Sequence, residues 1–416
     1  MRRHLFIFVL IATASPYGAA AGKKPDPDPK SLEVPPEVIF EAKELVSKLA
    51  SKSFHEREQA SRDLQKLGRL ALPAITEALH TSANPEVQMR TELLLPAART
   101  DDFRARIDCF LADAESKYDH RLPGAKEFFA VTGQSDASRN LFRDIILSSN
   151  RDLLLAVGKP DELSKMIAER KAEFVRAVNG GLVVIGGGIQ PAQKTTAPNV
   201  VDLAAIFFAE SMISEKKLGA QAGYQAVNLL HQPALKASIT SGGEKEAVLA
   251  ILTKWADTRE EPQTIYYGMS AFRTVQPSLG VKMALRMIDT KGGTPFHRGM
   301  AITLVGQFGN AEQRAALLPL LKDETVITPG GAVGVGGKRI AIQARDIALA
   351  MLLTITKQDV ADYGLTYRYK ANPANDALKY NYMAHFFDGD DAEKKREDAM
   401  KKWDDWHAKN KEVLKK

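Results

Sequence analysis

A helical apolar period that returns with the same punctuation far along the chain constrains this sequence more than any other feature. Beyond Glu37, residues Val38, Ile39, Ala42, Leu45, Val46 and Leu49 fall three or four apart, the spacing that lines one face of an α-helix. Ser53 with Glu56 three residues on forms a capping box, in which the Ser53 side chain accepts from the Glu56 N–H while Glu56 reaches back to Ser53. The helix it opens carries Arg57, Ala60, Leu64 and Leu67 and stops at Gly68, where glycine can enter the left-handed region. Leu72-Pro73 opens a stretch with Ile75, Ala78 and Leu79 as its apolar positions, and Asn84-Pro85 supplies a cap and a first-turn proline for another. The spacing of Arg57, Ala60, Leu64, Leu67 and Gly68 recurs at Arg298, Ala301, Val305, Phe308 and Gly309. It recurs less closely at Arg345, Ala348, Leu352, Ile355 and Thr356. The intervals between copies differ, so the turns of any repeat must vary in length.

A helix pair of this kind cannot bury its apolar face alone, and stacking against neighbouring pairs supplies the missing core. Leu72-Pro73-Ala74-Ile75-Thr76-Glu77-Ala78-Leu79 followed by Asn84-Pro85-Glu86-Val87-Gln88-Met89-Arg90 resembles the HEAT-repeat family. So does Leu317-Leu318-Pro319-Leu320-Leu321-Lys322-Asp323 followed by Arg345-Asp346-Ile347-Ala348. The likeness is greatest to exported HEAT-repeat proteins of planctomycete-type bacteria and covers roughly residues 37 to 98 and 296 to 357. Met89-Arg90 departs from the usual arginine placement. The resemblance implies an all-α fold, an α-α superhelix of antiparallel helix pairs, and an inter-helix role for Arg57, Arg298 and Arg345. It implies no particular activity.

The first residues follow a secretory pattern. Arg2, Arg3 and His4 form a basic start, Leu5 to Ala12 is an apolar run too short to span a bilayer, and Ala19, Ala20 and Ala21 offer small residues for cleavage. The expected signal peptide is 1–21, with no lipid-bearing cysteine after it and no membrane span once it is removed. The product is expected to be exported, periplasmic or extracellular. A Pro-rich linker follows at 22–36, where alternating prolines favour an extended spacer. The expected solenoid runs over 37–357 and is divergent in 100–260. Within that part Pro160 begins a helix stopped by Asn179-Gly180-Gly181, and Val201 to Ile213 and Lys245 to Trp255 read as two others. An aromatic-rich cap and a charged helix carrying Trp403 and Trp406 occupy 358–416, the helix docking through its tryptophans.

Cys109 is the single cysteine, so no internal disulfide is available, and it reads as a small core residue. The formal net charge of +6, two units of which are Arg2 and Arg3, is spread over 416 residues. Nucleic acid is therefore not an expected partner, because its recognition needs basic residues gathered on one face.

Two glycine-rich insertions interrupt the helical text, Gly180 to Ile189 and Gly330 to Ile340. They are expected to be loops or hairpins, with Leu182 to Ile185 and Val326 to Thr328 as short strands. Neither is a phosphate loop. Ala332 stands where the first glycine belongs, Arg339 replaces the magnesium-binding hydroxyl, and the first insertion has no Gly-x-Gly-x-x-Gly spacing. Loops on a rigid scaffold carry recognition, so Lys338, Arg339, Gly187 and Gly336 are the candidate partner-binding residues. No catalytic, cofactor-binding or metal-ligating set is assigned, and no cofactor is expected. Eight histidines are scattered without His-Glu-x-x-His, and an EF-hand read from Asp388 would need a glutamate where Ala399 stands. No Gly-x-Ser-x-Gly occurs, and carboxylate pairs such as Glu260-Glu261 point apart on a helix. The expected function is a non-enzymatic exported scaffold binding a protein or other envelope macromolecule. The alternatives are an exported hydrolase with a site assembled from the divergent middle region, which clustering of His120, His231, His297 or acidic side chains around one deep pocket would favour, and a purely structural self-associating repeat module.

Overall fold

The computed structural model describes residues 26–178, 182–185, 188–191, 197–219, 222–290, 292–328, 332–333, 339–369, 376–410 and 412. The expected signal at 1–21 and the candidate residues Gly187, Gly336 and Lys338 lie outside the described residues, and Arg339 is described by its backbone alone. The fold is mostly helical, as an all-α reading requires, and divides into two compact units at Leu122/Pro123. No helix among the described residues is long and apolar enough to cross a membrane.

The first unit contains α1 (Pro36–Lys48), α2 (Phe54–Leu67), α3 (Leu72–Thr81) and α4 (Pro85–Ala112). Its starts lie where the caps place them: Ser53 Oγ accepts from Glu56 N, and Asn84 Oδ1 accepts from Glu86 N and Val87 N. The return half of the first capping box differs from expectation. Glu56 takes the Ser51 hydroxyl, and Ser51 Oγ in turn accepts the Ser53 N–H, so the serine relays the bond. The core is rich in alanine, with Ala42, Ala60, Ala71, Ala74 and Ala98 among Leu49, Leu64, Ile75 and Val87, so the helix backbones pack closely. Gly68 adopts φ +54° facing Asp101 of α4, where a Cβ would sit 2.8 Å from a carboxylate oxygen.

The expected extended linker is corrected in its described part. Asp28 caps a 3-10 turn over Pro29–Leu32, Arg69 Nη1 donates to Leu32 O at 2.7 Å, and Ser31 Oγ lies 4.0 Å from the buried Cys109 Sγ. Two prolines in a row stop a helix, yet they leave the carbonyls of this segment free to be captured by an arginine. Burial pushes the Cys109 thiol up, as suits the core residue the sequence suggested.

The second unit begins with α5 (Ala125–Thr132), α6 (Asp136–Leu147), α7 (Arg151–Leu155), α8 (Pro160–Val178), the hairpin β1 (Leu182–Ile185) with β2 (Gly188–Pro191), and α9 (Val200–Ser211). It continues through α10 (Ala222–Leu230), α11 (Pro233–Ser241), α12 (Lys245–Asp257), α13 (Pro262–Val275), α14 (Pro277–Asp289), α15 (Pro295–Phe308) and α16 (Ala311–Ala315). The last elements are β3 (Ala332–Val333) with β4 (Arg339–Ile340), α17 (Ala344–Ile355), β5 (Thr366–Tyr367) with β6 (His385–Phe386), and α18 (Ala392–Lys409). Helix α9 is apolar on every side, so Leu203 through Ser211 are all buried and α6, α7, α8, α11 and α12 surround it. Phe128, Phe142 and Phe208 meet edge-on or tilted beside it, and Trp255 joins Phe207 to Phe272. Further on, α13 packs on α14 and α14 on α15, with alternate contacts between α12 and α14 and between α13 and α15.

Three local expectations change. Leu318-Pro319 opens a four-residue 3-10 turn, Pro319–Lys322, rather than a helix. Asp323 follows it, forming an ion pair with Arg298 at 2.6 Å and accepting the Thr325 N–H. Val326 to Thr328 forms only a bridge, Val326 to Gln343, while the ladder of that insertion lies at β3 and β4. Gly309 ends α15 in an extended conformation, and its need for glycine comes from the Val305 carbonyl, 2.5 Å from where a Cβ would be.

Candidate functional site

The second glycine-rich insertion stands on a rigid mount built by local hydrogen bonding. Ile327 N donates to Ile342 O at 2.7 Å, Ile342 N donates to Thr328 Oγ1 at 3.0 Å, and Ala344 N donates to Thr325 O at 2.9 Å. Beneath it α17 begins with a capping box in which Gln343 N donates to Asp346 Oδ2 at 3.0 Å. From α18, Arg396 grips the same carboxylate with Nε at 2.9 Å and Nη2 at 3.1 Å, and Nη2 also donates to Ala341 O at 2.8 Å. Burial works against the Arg396 charge, but its bonds to Asp346 and Glu393 outweigh this and raise the guanidinium above its ordinary value. The C-terminal helix thus ties the hairpin base to α17 through a buried fork. Trp403, fully buried and 5.3 Å from Trp406, completes the docking that the sequence assigned to the two tryptophans.

Beside the mount lies an aromatic cluster drawn from three stretches of chain. Proline starts both α13 and α15, which places Tyr266 in the second turn of one and Phe296 and His297 in the first turn of the other. Tyr266 stacks on His297 with centroids 4.3 Å apart and lies 5.6 Å from Phe296, while Tyr382 meets Phe296 edge-on at 5.3 Å. Gly299 seats both features: a Cβ there would lie 2.7 Å from Ile327 of the mount and 3.4 Å from Tyr382. Phe296 is 37% exposed, Tyr266 and Tyr382 are half-buried, and His297 is buried with Nδ1 unpartnered. Burial holds the His297 imidazole below its ordinary value, so it is neutral at pH 7. Burial likewise raises the Tyr382 phenol, with Tyr369 and Tyr266 adding to the effect.

The histidines proposed as a hydrolase cluster have separate surroundings. His120 lies in the first unit, where Nε2 is 3.0 Å from Asp113 Oδ2 between Phe110 and Tyr118. His297 is enclosed by Tyr266 and Phe296, and His231 is exposed beyond the end of α10. Among the described residues no three His, Cys, Asp or Glu side chains form a group able to hold a metal ion.

Sequence reasoning did not find the buried ionic group of the second unit. Glu210 of α9 accepts Lys171 Nζ and Trp255 Nε1, each at 2.6 Å, and its carbonyl accepts Arg259 Nη2 at 2.8 Å. Glu215 Oε2 accepts the N–H groups of Glu260 and Glu261. A glutamate inside an all-apolar helix was the available signal, since such a residue is buried only with partners. The three arginines assigned to inter-helix bonding do bond between elements. Arg57 pairs with Glu86 at 3.1 Å, Arg298 with Asp323 at 2.6 Å, and Arg345 with Glu324 and Glu393. An open cleft of about 540 Å³ between α5 and α12, lined by Glu127, Val131, Met212, Ala250 and Lys254, shares no residue with the aromatic cluster or the mount. No protein-family model, curated protein or solved structure matches the chain.

Proposed function

We propose that the protein is an exported, non-enzymatic binding scaffold, assembled in each unit from HEAT-like stacked helix pairs, that engages an envelope macromolecule through the edge formed by the second hairpin and the aromatic cluster. Three features support the reading: the secretory pattern of the first residues, the alternate-helix contacts of α12 to α15, and the Lys338-Arg339 pair that the sequence places in the second glycine-rich insertion. The observation that carries it is the half-exposed aromatic cluster beside a mount fixed by the buried Arg396–Asp346 fork. Recognition surfaces combine exposed aromatic side chains with rigid support, because preorganised rings lose little entropy on binding.

The test is a crosslinking pull-down from an envelope fraction with three proteins: wild type, a variant whose residues 334–338 are replaced by Gly-Ser, and Phe296→Ala. A partner captured by wild type and lost from both variants, with their helical circular dichroism unchanged, is the expected result. Capture that is indifferent to both changes, or no specific capture at all, overturns the reading.

A further inference from the structure

We propose that the outward face of α4 is a self-association surface, on which a second copy of this chain docks its own α4 antiparallel to the first. The face belongs to the first unit, so the inference stands independently of the binding-scaffold reading. A surface helix carries one apolar stripe for the core and a polar opposite side. Helix α4 carries apolar residues on both sides. Val87, Thr91, Leu95 and Ala98 are buried on its inner face, while Met89 (48% exposed), Leu93 (74% exposed), Pro96 and Ala97 lie outward in solvent. Met89, Leu93, Pro96 and Thr100 are spaced four, three and four apart, the alternation of a coiled-coil seam. Thr100 fits the seam because its hydroxyl donates back to the Pro96 carbonyl at 2.8 Å, which leaves the methyl group for the contact. The seam has defined ends. Glu86, one turn before Met89, is engaged by Arg90 and Arg57, and Ile107, two turns beyond Thr100, is buried.

Charge selects a second copy as the occupant. Glu92 and Arg99 are seven residues apart, immediately before Leu93 and Thr100, so both stand on the same flank of the seam. Both are exposed, and among the described residues neither has a hydrogen-bond or ion-pair partner. On the opposite flank Arg90 is already held by Glu58 and Glu86. A two-fold axis across the middle of the seam reverses the second helix. It seats Leu93 against Pro96 of the other copy and Met89 against Thr100, and it brings Glu92 opposite Arg99 at both ends. The surface is therefore complementary to itself, as a two-fold contact requires. A parallel copy would instead set Arg99 toward Arg104 of its neighbour and leave Glu92 facing Ala97. A partner of a single charge would leave either Glu92 or Arg99 facing its like. From Met89 to Thr100 the seam runs about 17 Å, so the interface falls at the small end of specific contacts and the association is weak.

Sedimentation equilibrium on the full chain tests this over about 10–500 µM, where the expected result is a reversible monomer–dimer equilibrium with a dissociation constant of about 100 µM. Leu93→Asp places a charge in the seam and should weaken the dimer by about tenfold or more. Glu92→Arg alone and Arg99→Glu alone each set like charges together at both ends, and each should weaken it by roughly three- to tenfold. All three positions are exposed, so circular dichroism and melting of the variants should match wild type. Mixing the two charge variants one to one gives one copy two arginines on the flank and the other two glutamates. Association should then return to at least wild-type strength as a heterodimer. A chain that stays monomeric at about 500 µM overturns the proposal. So does a dimer indifferent to Leu93→Asp, which puts the contact on another face. A mixture of the charge variants that associates no more tightly than either alone also overturns it, because the antiparallel pairing is then absent.

Discussion

Replacing Arg396 with methionine isolates the buried fork that fixes the hairpin mount. Methionine keeps an unbranched apolar stem where the arginine lies over the Phe387 ring, with its guanidinium carbon 5.6 Å from the centroid, so packing changes little. What disappears is the pair of bonds to Asp346, at 2.9 and 3.1 Å, the bond to Ala341 O at 2.8 Å and the bond to the half-exposed Glu393 Oε2 at 2.9 Å. Asp346 is 0% exposed, and its carboxylate then keeps the Gln343 N–H. A carboxylate left buried without its cation typically costs about 3–5 kcal/mol. Because α18 is the last helix, this cost should appear first as undocking of that helix and not as global unfolding. Divided by about 1.4 kcal/mol per decade, it predicts that amide-exchange protection in α18 falls by roughly 10²- to 4×10³-fold, up to the limit set by global stability. The double variant Arg396→Met with Asp346→Leu should recover at least half of the loss, since it leaves no unpaired charge. Hydrogen exchange followed by mass spectrometry over 392–409 reads both. Less than a fivefold loss of protection in Arg396→Met, or a double variant no better than the single one, would refute the argument that an uncompensated buried charge sets the penalty.

Three further outcomes are expected. Burial holds His385 down to about 4, with its hydrogen bond to the Lys379 carbonyl acting the other way. Its neutral form therefore contributes stability that is fully present above its unfolded value of about 6.5 and is lost as the pH falls from there toward 4, by about 3 kcal/mol. Urea midpoints at pH 7 and 4.5 should show that loss in wild type and not in His385→Phe, which keeps the stack on Tyr367; equal pH dependence would count against it. At Gly306 an added Cβ meets the Met351 Cβ at 2.8 Å, whereas at Gly268 it meets the Sδ and Cε end of the flexible Met283 side chain and reaches ordinary contact with Trp255 at 3.4 Å. Gly306→Ala should thus cost about 1–3 kcal/mol, while Gly268→Ala stays within about 1 kcal/mol because helix propensity offsets the crowding; thermal melts of the two variants decide it. Asp113 is held below its ordinary value: burial opposes the charge, but the Lys117 N–H, His120 and the Tyr118 N–H outweigh it. The stability it contributes is present above its unfolded value near 4 and is lost as pH falls through the lower folded value. Proteolysis of the 113–121 loop by pepsin should accelerate below about pH 4 in wild type, and Asp113→Asn should be cut readily at pH 5 as well.

Local chemistry settled much of this fold before any tertiary contact. Ser53, Asn84, Asn199 and the first-turn prolines at Pro36, Pro85, Pro262 and Pro295 set helix starts because caps and proline act within one turn. The apolar period likewise marked Ala60 with Leu64, Ala301 with Val305 and Ala348 with Leu352 as buried, and all six are. Leu182 to Ile185 was legible as a strand because glycines bracket a β-branched run. The rest depended on partners distant in sequence. Leu318-Pro319 has the same local text as Leu72-Pro73, but Arg298 and the Ala344 and Arg345 N–H groups at the start of α17 capture the following residues and cut the helix short. Lys23 to Pro36 reads as a solvated spacer because proline speaks only for its own φ, and Arg69, which captures Leu32 O, lies 37 residues away.

The candidate surface divides the same way. The sequence alone determined that the chain is helical, that two glycine-rich arms interrupt it, and that Lys338 and Arg339 travel on the second arm. Only the tertiary structure brought Tyr266, Phe296, His297 and Tyr382 together, and only it set Arg396 on Asp346 fifty residues earlier. The physical reason is range. Caps, turns and periodicity are decided by hydrogen bonds and sterics within about four residues. A ring cluster or a buried ion pair exists only once packing has closed long loops, and its partners are chosen by shape and desolvation, which leave no local pattern in the sequence.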